Sequence, residues 1–109
     1  MAQTINLEFR GKTYILQYTR RSVEAMERQG FVAADMATRP MTTIPSLFAG
    51  AFIANHRNVR RDIVDEIFSK IADKDKLIET LAGMYNETLE TLMDDPEDSE
   101  GNVSWVASR

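Results

Sequence analysis

Ile5-Asn6-Leu7-Glu8-Phe9-Arg10-Gly11-Lys12-Thr13-Tyr14-Ile15-Leu16-Gln17-Tyr18 is the stretch that separates an α+β fold from an all-helical one. Ile5, Leu7 and Phe9 alternate with Asn6 and Glu8, and after Arg10-Gly11-Lys12 the alternation resumes with Tyr14, Leu16 and Tyr18 against Thr13, Ile15 and Gln17. Side chains two apart share one face of a strand, so each run presents an apolar side, and the glycine between them supplies a turn. The stretch predicts a β-hairpin. With Gly11-Lys12 as the central residues of a two-residue turn, Phe9 faces Tyr14, Leu7 faces Leu16 and Ile5 faces Tyr18. Two strands alone are marginal in water, so this face requires helices to cover it.

Downstream the period changes from two to between three and four. Thr19 suits the N-cap of a helix from Arg20 to Gln29, with Gly30 free to take the left-handed closing position and Phe31 placed to touch Met26. Residues 31–41 read as a connector, because the residue before Pro40 is pushed out of the helical region. Ile44, Leu47, Phe48, Ala51 and Phe52 then fall on one helical face, with Thr42 or Thr43 as cap and Pro45 in the first turn, ending near His56. Asn58 is the expected cap of a helix carrying Val59, Ile63, Val64, Ile67, Phe68 and Ile71. Asp73 is the expected cap of a last helix, residues 74–93, with the stripe Leu77, Leu81, Met84, Tyr85, Thr88 and Leu92. The expectation is an α+β domain over residues 1–93, a hairpin packed on about four α-helices.

Residues 94–109 read as a disordered acidic tail. Asp94, Asp95, Glu97, Asp98 and Glu100 repel one another, and Pro96 stops a helix. Of the 13 Lys/Arg and 17 Asp/Glu, residues 1–93 hold equal numbers, so the tail carries the whole excess behind the net charge of -4. A neutral body makes nucleic acid an unexpected main partner, since phosphate binding needs a surplus of Lys and Arg. The apolar fraction of 43% supports one core, and 109 residues suffice for one ordinary domain. With no cysteine there is neither a disulfide nor a thiolate nucleophile, which suits an intracellular protein. No signal peptide and no membrane span are expected, since no apolar run approaches the required length.

No constellation of catalytic side chains emerges. His56, the one histidine, has no neighbouring acid to relay with, and it reads as a residue favoured by a helix C-terminus. Ser22, Ser46 and Ser69 lack the motif of an activated nucleophile, and the isolated glycines cradle no phosphate. The acidic run misses the spacing of a calcium loop. No enzyme activity, cofactor or metal is expected. Residues for contact with a partner or with further copies of the chain are Arg57, Arg60 and Arg61, a basic cluster; Phe68, off the main stripe of its helix as Ile53, Ile78 and Leu89 are of theirs; Asp94, Asp95, Glu97 and Asp98; and Trp105, the single tryptophan. For the arginines the plainer alternative is a solvated face, with Arg61 pairing to Asp65 one turn on.

The order of these segments resembles a family of tail assembly chaperones of long-tailed (siphovirus-type) phages and prophages. The residues that carry the resemblance are Gly11-Lys12-Thr13-Tyr14, then Tyr18 through Phe31, Pro40 through Phe52, Met84-Tyr85-Asn86-Glu87, Pro96-Glu97-Asp98, Glu100-Gly101-Asn102 and Trp105. The resemblance implies a protein of the infected bacterial cytoplasm, absent from the mature virion. It would coat the tape measure protein, keep its long apolar helices soluble, and help recruit the tail tube protein; the apolar positions off the main stripes separately suggest a homo-oligomer. No active site carries over with it. Two other readings stand beside it: a structural tail or connector component of the virion, and a small nucleic-acid-binding regulator.

Overall fold

The structure, a computed structural model, describes residues 3–92 and 106–107. The acidic run, Trp105 and the expected tail therefore lie outside the described residues, Val106 and Ala107 excepted.

The hairpin forms from β1 (Ile5–Phe9) and β2 (Lys12–Leu16). Its register differs from the expected one: Ile5 pairs with Leu16, Leu7 with Tyr14 and Phe9 with Lys12. The central turn residues are Arg10 and Gly11, both at positive φ, 52° and 77°. A turn with two positive φ values matches the twist of the flanking strands. Arg10 is held in this left-handed conformation between the Phe9 ring, 4.8 Å from its guanidinium, and an ion pair to Glu66. The shift moves each partner by two residues, so the apolar face survives it. Tyr14 and Leu16 are buried, and Ile5, Leu7 and Phe9 are half-buried.

α1 (Arg20–Arg28) closes both ends locally. The Thr19 hydroxyl accepts from the Ser22 N–H, and the Ser22 hydroxyl accepts from the Thr19 N–H at 2.8 Å. At the far end the Phe31 N–H donates to the Met26 carbonyl and the Gly30 N–H to that of Glu27, with Gly30 at φ 96°. This is the closing motif that a left-handed glycine allows.

After a 3-10 helix (Ala33–Met36), α2 (Pro40–Gly50) starts four residues before Ile44 and stops well short of His56. Pro40 is the first helical residue, where a missing N–H costs nothing. Pro45 lies inside the helix rather than in its first turn, and without an N–H it leaves the carbonyl of the exposed Met41 unpaired in the ladder. The helix ends at Gly50 because the Ala51 carbonyl accepts from the Gln17 N–H at 3.0 Å, and residues 51–53 tighten to bonds three residues apart. α3 (Arg61–Lys70) begins after Arg60, with no capping bond from Asn58. α4 (Lys74–Thr91) follows Asp73, which stands at φ 54° and makes no side-chain cap.

α2 packs against α1, the 3-10 helix, α3 and α4. The core joins Tyr14, Leu16 and Tyr18 of the hairpin side to Val23 and Met26, Leu47, Phe48, Ala51 and Phe52, Val64 and Ile67, and Leu81, Met84 and Tyr85. Gly50 is a point of close approach: a Cβ there would stand 2.4 Å from the Met26 sulfur. Among the described residues no helix is long and apolar enough to cross a membrane.

Candidate functional site

The bend between α2 and α3, residues 51–60, carries the chemistry that the core does not absorb. Phe52 anchors it, its ring 5.6 Å from Tyr14 and 5.2 Å from Phe48, both edge-on. Beyond Phe52 the bend reaches back to β2. Nε2 of His56 accepts the Ile15 N–H at 2.9 Å, and Asn55 donates to the Ile15 carbonyl at 3.2 Å and to the Gln17 amide oxygen at 2.9 Å. These bonds satisfy the outer edge of β2 at Ile15, where a bare strand edge would otherwise offer itself for pairing.

With Asn55 and His56 turned to the hairpin, Arg57 points outward, and three clefts meet at it. The first, about 400 Å³, lies between α1, the 3-10 helix, α2 and the start of α3. Phe31, Phe52, Val59 and Val64 supply its apolar floor, and Arg39, Arg57 and Arg61 its cations. The second, about 380 Å³, adds Lys12 and Arg60. The third, about 600 Å³, adds Arg21, with Thr19, Asn55 and Asn58 beside it. Among the described residues Asp35 is the one acid lining any of the three. Arg60 pairs with Asp62 at 2.9 Å and Arg61 with Asp65 at 3.0 Å. Arg21, Arg39 and Arg57 make no ion pair among the described residues. The result is a cationic face on a body whose charges balance only in total, with apolar residues lining one of its clefts. Such a surface can hold an amphipathic or acidic polypeptide segment, where positive charge steers encounter and apolar contact gives hold.

The pattern of one protein family matches residues 1–109 in full. The chain belongs to the DUF5055 family, a domain of unknown function. No curated protein matches this DUF5055 domain, and no solved structure matches it either.

Of the contact residues expected from the sequence, Arg57, Arg60 and Arg61 come together on the cationic face. Phe68 does not join them. Its ring is half-buried against Phe48 at 5.1 Å, with the Lys74 ammonium 5.9 Å from its centre. Ile53 and Ile78, also off their stripes, pack partly buried on the core, whereas Leu89 remains 40% exposed. Asp94, Asp95, Glu97, Asp98 and Trp105 lie outside the described residues. The fold adds Lys12 and Arg39, and it brings to the cluster Arg21 of the second basic pair in the sequence, Arg20-Arg21. The other perturbed groups are structural. Burial pushes the Tyr18 phenol far above its ordinary range, with Tyr85 beside it adding to the shift, and its hydroxyl donates to the Leu47 carbonyl at 2.6 Å. Tyr85 is raised by burial first and by Glu27 second. Among the described residues no group of three His, Cys, Asp or Glu could hold a metal ion.

Proposed function

We propose that this protein is a non-enzymatic tail assembly chaperone of long-tailed phages and prophages, acting in the bacterial host cytoplasm. It binds the tape measure protein and assists assembly of the tail tube, in several copies per client. The resemblance of its ordered segments supports the class of function. The observation that carries the reading is the first cleft, where Val32, 49% exposed, and the half-buried Val59 stand among arginines, above the buried Phe31, Phe52 and Val64. A long apolar helix with acidic flanks is the client such a cleft fits, because its apolar stripe finds Val32 and Val59 and its acids find the arginines. Several small subunits repeating this contact would cover a client far longer than themselves.

Co-expression with the neighbouring tape measure protein tests the reading. The client is expected in the soluble fraction with this protein and in the pellet without it, and Val32→Asp is expected to abolish the rescue while the helical circular dichroism spectrum is unchanged. An insoluble client, together with this protein in purified mature particles, would instead make it a structural tail or connector component.

One observation favours a second reading. Lys12, Arg21, Arg39, Arg57, Arg60 and Arg61 line adjoining clefts, as the phosphate-binding side of a small nucleic-acid regulator would require. A duplex mobility shift that weakens steeply as salt rises would establish it, and no shift at low salt would dismiss it.

A further inference from the structure

The two edges of the hairpin differ. β2 gives the outward N–H and C=O of Ile15 to His56 and Asn55. Facing residues in an antiparallel ladder either bond each other or both point away, and the two kinds alternate. Ile15 is paired with Asn6 and Thr13 with Glu8, so Asn6 and Glu8 turn their N–H and C=O outward from β1. Among the described residues no side chain or loop bonds these groups. Both residues are exposed, and β1 carries neither the lysine nor the proline that commonly guards an edge. The apolar face is left open on the same side. Tyr14 and Leu16 are 5% and 0% exposed, whereas Leu7 and Ile5, paired with them, are only half-buried, as is Phe9.

β1 is also its own complement. When two copies of it run antiparallel, their outward residues must face each other, which leaves few registers. Glu8 on Glu8 opposes like charges, which destabilises a strand pair. Asn6 on Asn6 carries Phe9 past the Ile5 end of the opposite strand. Asn6 on Glu8 matches the strands along all 5 residues: Leu7 meets Leu7, Ile5 meets Phe9 at both ends, and no like charges are opposed.

We propose that β1 pairs antiparallel with β1 of a second copy in this last register, joining two hairpins into one four-stranded sheet about a two-fold axis at Leu7. Each facing Asn6 and Glu8 exchange both of their N–H···O bonds, and the half-buried Ile5, Leu7 and Phe9 of the two copies close over one another. A two-fold contact uses the same surface on both partners and so closes on itself. Because the bend occupies the edge of β2 at Ile15, the sheet does not grow further there. No residue of β1 lines any of the three clefts, so both cationic faces stay open in the dimer. The inference goes beyond the client-binding reading and does not depend on it.

Sedimentation equilibrium of the full chain from micromolar to millimolar concentration is expected to show monomer and dimer in exchange. The amides of Asn6 and Glu8 are expected to be protected from hydrogen exchange in the dimer and to lose that protection on dilution. Asn6→Glu sets like charges opposite each other and Asn6→Lys sets opposite ones, at a position exposed in the monomer. The first is expected to weaken the dimer about fivefold and the second to tighten it about fivefold. The chain has no cysteine, so a single one can report the axis. Residues facing each other without mutual hydrogen bonds lie about 4.5 Å apart at Cα, within reach of a disulfide. Mild oxidation is expected to cross-link Leu7→Cys into dimers and to leave Thr13→Cys, exposed on β2, uncoupled at the same concentration. A monomer at every concentration overturns the proposal, as does a dimer whose Asn6 and Glu8 amides exchange freely. So do the two Asn6 variants shifting association in the same direction, a result that can be read even if Leu7→Cys does not fold. Protection of those amides only when another protein is added to a monomeric chain overturns it too, because the edge then takes a foreign strand. Val32→Asp, which is expected to abolish client rescue, leaves dimerisation unchanged, so the two readings fail separately.

Discussion

The ends of α1 and the bend after α2 both redirect the chain, and they do so by opposite means. α1 is closed by its own neighbours: Thr19 and Ser22 satisfy each other at the start, and Gly30 and Phe31 return to Glu27 and Met26 at the end. The bend has local backbone turns, with the His56 N–H on the Phe52 carbonyl at 2.7 Å and the Val59 N–H on that of His56 at 3.2 Å, but its side chains bond far along the sequence. It is held by residues about forty positions away, with His56 and Asn55 bonded to Ile15, the Ala51 carbonyl taken by Gln17, and Phe52 set against Tyr14. A reversal written locally forms wherever its residues go. One written at long range exists only in the finished fold, and here it is the one that presents Arg57.

Tyr18 joins the two regions, so titrating it attacks both at once. Its folded form is held neutral well above the ordinary tyrosine value of 10.0, whereas the unfolded chain ionises near that value. The stabilisation is therefore complete below about pH 10 and is lost as pH rises beyond it. Circular dichroism against pH is expected to show cooperative unfolding on the alkaline side, with Tyr18→Phe shifting the midpoint upward.

Phe52→Ala strikes the bend alone. Removing a ring that is 2% exposed and shared between Tyr14 and Phe48 is expected to cost about 3–5 kcal/mol in urea unfolding. Gly30→Ala strikes α1 alone, since a side chain at φ 96° meets backbone strain even though the space around it is open. The expected loss is about 1–2 kcal/mol, with amide exchange quickening around Met26 and Phe31 and unchanged at Ile15. His56→Leu keeps the bulk and removes the acceptor of the Ile15 N–H. A cost of about 0.5–1.5 kcal/mol is expected, with faster exchange at Ile15 and none of the change at Phe31, the mirror image of the glycine variant. Equal exchange responses in the two variants would erase the distinction between the regions.

The same distinction explains what was legible in the sequence. Thr19, Gly30 and Phe31 declare α1 because cap chemistry is local. The hairpin declares its faces through alternation, and its register was readable only to within a two-residue step, because alternation repeats every two residues and either turn keeps the same side apolar. The start of α2 was obscured by Pro40, which reads equally as a stop for what precedes and as a first helical residue. Its end was set by Gln17, a residue no local pattern could connect to Ala51. The basic cluster Arg57, Arg60 and Arg61 was visible as a run. Arg20-Arg21 was visible as a second basic pair, but Lys12 and Arg39 were not visible as companions, since separate elements bring them to it.

The packing at Gly50 also sets a chemical contrast between two methionines. Met26 fills the space that a Cβ would need, at 2% exposure, whereas Met41 on the same helix pair stands 90% in solvent. Peroxide converts a thioether to a bulkier, polar sulfoxide, and the room above Gly50 admits no added oxygen. Met41 is therefore oxidised at the rate of an open surface, and Met26 only as often as α1 and α2 part, which makes its oxidation a clock for that opening.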